Sequence, residues 1–246
     1  MKWLALPLVL GCFIVLSRDP FQPKDLYHTI PRGSESIHDL ATYLDQPFSY
    51  LGEGAQVIAF VSEDQQVVLK LFKNRHKKRW KLSRLAKLLK KDWEQSHRKW
   101  THKFQDTCRR YRLAMASLQE ETGLLGIHFY KTKDPLFVTI RGRHSYQLNL
   151  ADLPFILQKR ARLATEVAKA EPEKARQALI DLFTKRINKG FSDPRQSLSV
   201  NYGFIGDQAI QLDVGKIEPF SGDREEELNR IITKVNDWIE AQKRPR

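Results

Sequence analysis

Apolar and polar positions alternate in short runs over residues 48–73, "FSYLGEGAQVIAFVSEDQQVVLKLFK", with breaks at Gly52-Glu53-Gly54 and at Glu63-Asp64. Two-residue periodicity rich in Val, Ile and Phe predicts an antiparallel three-strand meander. Its first strand ends at the Gly-x-Gly, its second covers 56–61 and its third 66–72. The period then lengthens. Trp93, Trp100, Phe104, Cys108, Tyr111, Met115 and Leu118 recur at three-, four- and seven-residue steps, which places them on one face of a helix spanning about 80–121. Gly123 is the expected stop. "LLGIHFYKT" and "LFVTIRGRHSYQLNL" read as strands turned by Lys-Asp-Pro. Helical spacing returns over 155–170 and 173–188, interrupted near Pro172 and closed by Lys189-Gly190, and once more over 224–243.

Between the last two helices stands "NYGFIGDQAIQLDVG", residues 201–215. It reads as a hairpin of strands 202–205 and 208–212 turned by Gly206-Asp207. A hairpin brings its open ends together, so Asn201 and Asp213 project from one rim. An amide and a carboxylate there are a plausible oxygen pair for a hard cation.

The chain opens differently. "MKWLALPLVLGCFIVLSRDP" places one Lys before an apolar run from Trp3 to Leu16. Residues 1–17 therefore read as a signal peptide or uncleaved signal-anchor, with the single-pass, membrane-associated anchor preferred over cleavage and lipidation at Cys12 kept open. The run is short for a full span, and Lys2 faces Arg18 and Lys24, so the side of the membrane is undetermined. Residues 18–45, with several Pro, read as a linker holding one short helix.

Composition is that of a globular protein, 41% apolar and 29% charged, and 246 residues suffice for one large domain or two small lobes. With two cysteines, one of them in the apolar leader, no disulfide framework or cysteine metal cluster is available. The net charge of +13 is localised. Residues 73–112 hold sixteen Lys or Arg against Asp92, Glu94 and Asp106, which accounts for all of it. Such a face is solvated, or it meets an anionic membrane surface, a protein partner or nucleic acid, the last being the weakest candidate.

The order of these features resembles the protein-kinase-like superfamily over residues 48–215. "YLGEGAQVIAF" looks like the glycine-rich loop, with Gly52 and Gly54, and "VVLKLF" looks like the strand that carries the phosphate-contacting lysine, here Lys70, with Val68 on the same face of the strand. Asn201 and Asp213 match the two magnesium ligands of that family, at the family's usual separation. The resemblance implies an α+β, two-lobe fold: an antiparallel-sheet N-lobe with a long basic helix over 46–142, and a reduced helical C-lobe over 143–246. It implies ATP and Mg2+ as cofactors and a nucleotide as partner.

Four departures set this chain apart from the pattern. Val57 replaces the loop's third glycine. His-Arg-Asp is missing, and the nearest carboxylate, Asp193, precedes Asn201 by three residues more than the pattern has; it is the candidate catalytic base alongside Lys70, against ordinary Asp-Pro turn chemistry. No glutamate is an evident partner for Lys70 among Glu94, Asp106, Glu120 and Glu121, with Glu121 nearest the following strand. After Gly215 only 31 residues remain, without an Ala-Pro-Glu segment. The expectations are therefore a membrane-anchored kinase-like phosphotransferase, a pseudokinase scaffold, or a basic protein of membrane surfaces or nucleic acid.

Overall fold

The computed structural model describes residues 21–27, 30–33, 40–74, 93–142 and 144–243. The apolar leader and residues 75–92 of the basic tract lie outside them. No helix among the described residues is long and apolar enough to cross a membrane.

The meander forms as expected from β1 (Phe48–Glu53), β2 (Val57–Ser62) and β3 (Val67–Phe72), paired antiparallel with Ala59 opposite Lys70. Leu51 is an extra residue in β1, because Tyr50 faces Phe60 while Gly52 faces Ala59. A bulge of this kind bends the strand just ahead of the Gly-x-Gly. Four more strands complete a sheet of order β4-β7-β3-β2-β1-β5-β6: β4 (Leu124–His128), β5 (Phe137–Arg141), β6 (Tyr146–Asn149) and β7 (Phe155–Lys159). Every neighbour is antiparallel except β1 with β5.

β7 corrects the expected helix over 155–170. Phe155, Ile156, Leu157 and Gln158 are all buried. A strand covered on both faces carries an unbroken apolar run with no two-residue alternation to betray it. Helix starts only at Ala164, after the short β8 (Arg162–Leu163). The sheet thus continues to Lys159, beyond the expected boundary at 142.

Helix α2 (Trp93–Ser117) follows a short α1 (Ala41–Leu44); of the predicted stripe, Phe104, Cys108 and Tyr111, with Leu118 just past its end, are buried against β4 and β7 residues, and Trp100 and Met115 are partly buried. A second short helix, α3 (Gln119–Thr122), ends at Gly123, whose φ of 63° is the left-handed conformation a C′ glycine supplies. Within residues 18–45, expected as a linker holding one short helix, the described Phe21, Leu26, Leu40 and Leu44 pack under the sheet, and the Tyr27 N–H donates to the Phe72 carbonyl at 2.8 Å. These side chains come from and around two short helical turns, Pro23–Asp25 and α1, that lie against the sheet.

The remainder is helical: α4 (Ala164–Ala170), α5 (Pro172–Asn188), the single turn α6 (Leu198–Asn201) and α7 (Arg224–Lys243). Pro172 starts α5, where a missing N–H costs nothing. Ile231, Val235 and Ile239 of α7 are fully buried in this half's own core. The predicted hairpin, β10 (Tyr202–Ile205) with β11 (Gln208–Gln211), joins β8 in a three-stranded sheet. Short strands β9 (Phe191–Ser192) and β12 (Glu218–Pro219) pair beside it. The protein is α+β, with an antiparallel-dominated sheet and a helical half that meet at the 158–163 crossing.

A candidate nucleotide cleft between sheet and helices

Where the two halves meet lies a cleft of about 740 Å³. Leu51, Ala59 and Val68 form its upper apolar wall, Leu163, Phe204 and Leu212 its lower one, and the crossing from Gln158 to Leu163 its back. Leu51 and Leu163, two large apolar side chains 47% and 41% exposed, both line this gap. Lys70, Lys159, Arg160 and Arg162 line it with positive charge against Glu166.

Lys70 reaches the cleft because β3 alternates: Val68 and Lys70 point one way, Leu69 and Leu71 into the sheet core. Its Nζ donates to Gln158 Oε1 at 2.5 Å and to the Leu212 carbonyl at 2.7 Å. Burial pulls the ammonium pKa from 10.5 down to about 8, and the negative charge of Asp213 opposes the shift. The two glycines of the loop lie on open backbone one strand beyond Ala59, and a Cβ added at Gly52 or Gly54 would meet nothing within 4 Å. The Gly54 N–H donates to the Val57 carbonyl at 2.9 Å, which closes the turn that the pattern's third glycine would follow.

Asn201 and Asp213 stand at the hairpin's open end, as the sequence implied. The Leu212 N–H donates to the Asn201 carbonyl at 2.7 Å, so the two residues flank the last rung of the ladder. Asp213 is exposed, and its Oδ1 accepts the Gly215 N–H at 2.9 Å. No group of three or more His, Cys, Asp or Glu among the described residues makes a metal site on its own. One carboxylate and one amide suit Mg2+, which takes one or two protein oxygens and completes its shell with phosphates and water.

Asp193 is placed differently. It is 1% exposed, and its carboxylate accepts three donors: the backbone N–H groups of Arg195 at 2.9 Å and Gln196 at 3.2 Å, and Gln211 Nε2 at 3.0 Å. Of the acids considered for Lys70, Glu121 is buried and pairs with Lys189 at 2.7 Å, while Asp106 lies near His102 and Arg109. The Glu94 side chain is outside the described residues.

Several residues absent from the sequence reading join the site. Gln158 and Gln211, both 1% exposed, sit between Lys70 and the Asp193 loop. Arg110 and Tyr111 bring α2 onto the Asp-Val-Gly segment: Arg110 donates to the Gly215 carbonyl at 2.8 Å and to Glu218 at 2.5 Å. Burial, with the charge of Asp213 second, holds the Tyr111 phenol well above its ordinary range. The signal for Gln158 was a polar residue inside an apolar run.

No family model and no curated protein matches the chain. Among solved structures it is similar to chains of WbdD, described in one as a bifunctional kinase-methyltransferase and solved in another with the kinase inhibitor LY294002. The inhibitor complex is 13% identical with a TM-score of 0.42, over 76% of this chain and 36% of that one. The bifunctional enzyme is 15% identical with a TM-score of 0.41, over 77% and 38%. The chain spans little more than a third of their length.

Proposed function

We propose that this is a kinase-like protein that binds ATP with Mg2+ in the cleft between sheet and helices. The observation that carries the reading is the Lys70 ammonium, held 2.7 Å from the Leu212 carbonyl and beside Asp213, on the floor of that cleft. A cation and an exposed carboxylate side by side suit a metal–triphosphate, whose oxygens take the lysine and whose metal takes the carboxylate. The apolar walls suit a planar base: Leu51, Ala59 and Val68 lie above it, Leu163, Phe204 and Leu212 below. Asn201 supplies the second metal oxygen, and the open backbone at Gly52 and Gly54 covers the phosphates.

A thermal-shift titration with ATP and Mg2+ tests this. Saturable stabilisation that weakens in Lys70→Met and disappears in Asp213→Asn supports the reading; no shift at millimolar ATP ends it.

One observation favours binding without transfer. The Asp193 carboxylate is buried, with both oxygens already accepting hydrogen bonds from within the protein. General-base catalysis requires the base within hydrogen-bond reach of the proton it takes. On this second reading the protein is a nucleotide-binding scaffold. Radiolabel from γ-labelled ATP, transferred to any acceptor or to the protein itself, decides for the enzyme.

A further inference from the structure

Gln158 is buried, central in the sheet, and connected on both sides of its amide. Its Oε1 accepts from Lys70 Nζ at 2.5 Å. Its Nε2 donates to the Thr122 carbonyl at 2.6 Å and to the Gln211 carbonyl at 3.2 Å. Chemistry fixes the orientation: an ammonium only donates and a carbonyl only accepts, so oxygen must face Lys70 and nitrogen the two carbonyls. Register supplies the approach, with Val68 opposite Gln158 and Lys70 opposite Ile156 on adjacent antiparallel strands.

The network continues through a second glutamine. Gln211 Nε2 donates to Asp193 Oδ2 at 3.0 Å and to the Asp213 carbonyl at 2.9 Å, and its Oε1 accepts from the buried Arg186 at 2.7 Å. Two amides thus join the lysine of the sheet to the segment that carries Asp213.

We propose that Gln158 is the positioning residue for Lys70, its neutral amide fixing the ammonium against the Asp213 segment through Gln211. This rests on the nucleotide reading of the cleft and names a residue that reading does not contain. Of the carboxylates that could take the role, Glu121 holds Lys189, Asp106 faces His102 and Arg109, Glu120 is exposed to solvent on α3, and the Glu94 side chain lies outside the described residues. An amide also suits its surroundings better than an acid. Two carbonyls face the nitrogen side of the group, and a carboxylate there would meet both lone pairs unprotonated.

The test uses ATP–Mg2+ affinity by calorimetry and, on unliganded protein labelled with 13C-lysine, the two Hε resonances of Lys70. A fixed lysine gives separate Hε signals and a free one gives merged signals. Gln158→Leu is expected to merge them and to weaken ATP about tenfold, the loss of one charge-assisted hydrogen bond. In a Lys70→Met background the same change is expected to cost less than about twofold, since residues acting through one another are not additive. Gln158→Glu, which keeps an acceptor for Lys70, should hold the Hε signals apart, and it serves in place of Gln158→Leu should that variant not fold. Unchanged Hε signals in Gln158→Leu, merged signals in Gln158→Glu, or a full additive loss in the double variant overturn the proposal. If wild type binds no ATP, the nucleotide reading falls and the Hε signals alone decide the positioning.

Discussion

Lys70 and Leu212 are 142 residues apart in sequence and joined by a 2.7 Å hydrogen bond, from the ammonium of a sheet strand to the carbonyl just before Asp213. That bond closes the cleft's inner end, and it sets the first prediction. Folding holds the Lys70 pKa near 8, below the unfolded value of 10.5, so the unfolded chain binds that proton more tightly. Below pH 8 the buried charge costs stability, and the cost fades as pH rises from about 8 to 10.5. Lys70→Met removes it. Relative to wild type, the variant should be more stable at pH 7 than at pH 10.5, by on the order of 1–3 kcal/mol. Denaturant melts at the two pH values measure this. A difference of opposite sign would refute the assignment.

The same titration acts on binding. ATP affinity should fall as pH passes about 8, because the neutral amine no longer attracts phosphate, and the fall should be absent in Lys70→Met. Calorimetry from pH 6.5 to 9.5 follows it.

Asp193 and Asp213 should separate stability from ligand. In Asp193→Asn an NH2 replaces the oxygen facing Gln211 Nε2, and two donors then oppose each other in a buried site. The expected cost is about 1–3 kcal/mol of stability, with ATP affinity in the folded protein retained. Asp213→Asn changes an exposed side chain but removes the charge that favours the Lys70 ammonium, so unliganded stability at pH 7 should fall by about 1 kcal/mol or less while Mg2+-dependent stabilisation by ATP disappears. Parallel melts with and without ATP–Mg2+ compare the two.

The Glu121–Lys189 pair is one-sided, with the carboxylate 3% and the lysine 42% exposed. Removing the lysine strands a buried charge, whereas removing the glutamate leaves a lysine in reach of water. Lys189→Met should therefore cost about 3 kcal/mol and Glu121→Met distinctly less. Equal costs in urea unfolding would contradict this asymmetry.

Gly203 lies where β10 passes β8, and a Cβ there would come within 2.7 Å of the Arg162 carbonyl. Backbone cannot swing aside as a side-chain tip does. Gly203→Ala should push residues 161–163 outward, costing about 1–3 kcal/mol. Because Ala161, Arg162 and Leu163 line the cleft, ATP affinity should drop with it.

The meander, the amphipathic α2, the Gly123 stop and the Asn201–Asp213 hairpin were legible because each is local: periodicity and turn residues specify them within a few positions. What was not legible depends on burial from two sides or on distant partners. "FILQK" reads as helix in the sequence, and the structure makes it a strand paired on both sides. Asp193 stood out as a carboxylate near Asn201, and only the fold reveals the three donors around it. The sequence suggests acids as partners for Lys70 because charge attracts opposite charge. The side chain that bonds Lys70 carries no charge, and it lies on a strand misread as helix.

The two buried glutamines have a consequence for how the protein comes apart. Gln158 belongs to the sheet and Gln211 to the hairpin of the helical half, and their contact draws Lys70, Thr122, Arg186, Asp193 and Asp213 into one bonded seam. Melting either half alone would break these bonds and open the buried seam, with its apolar surroundings, to water. The sheet and the helices therefore share a single cooperative unfolding event, although in sequence they look like two units divided by a crossing.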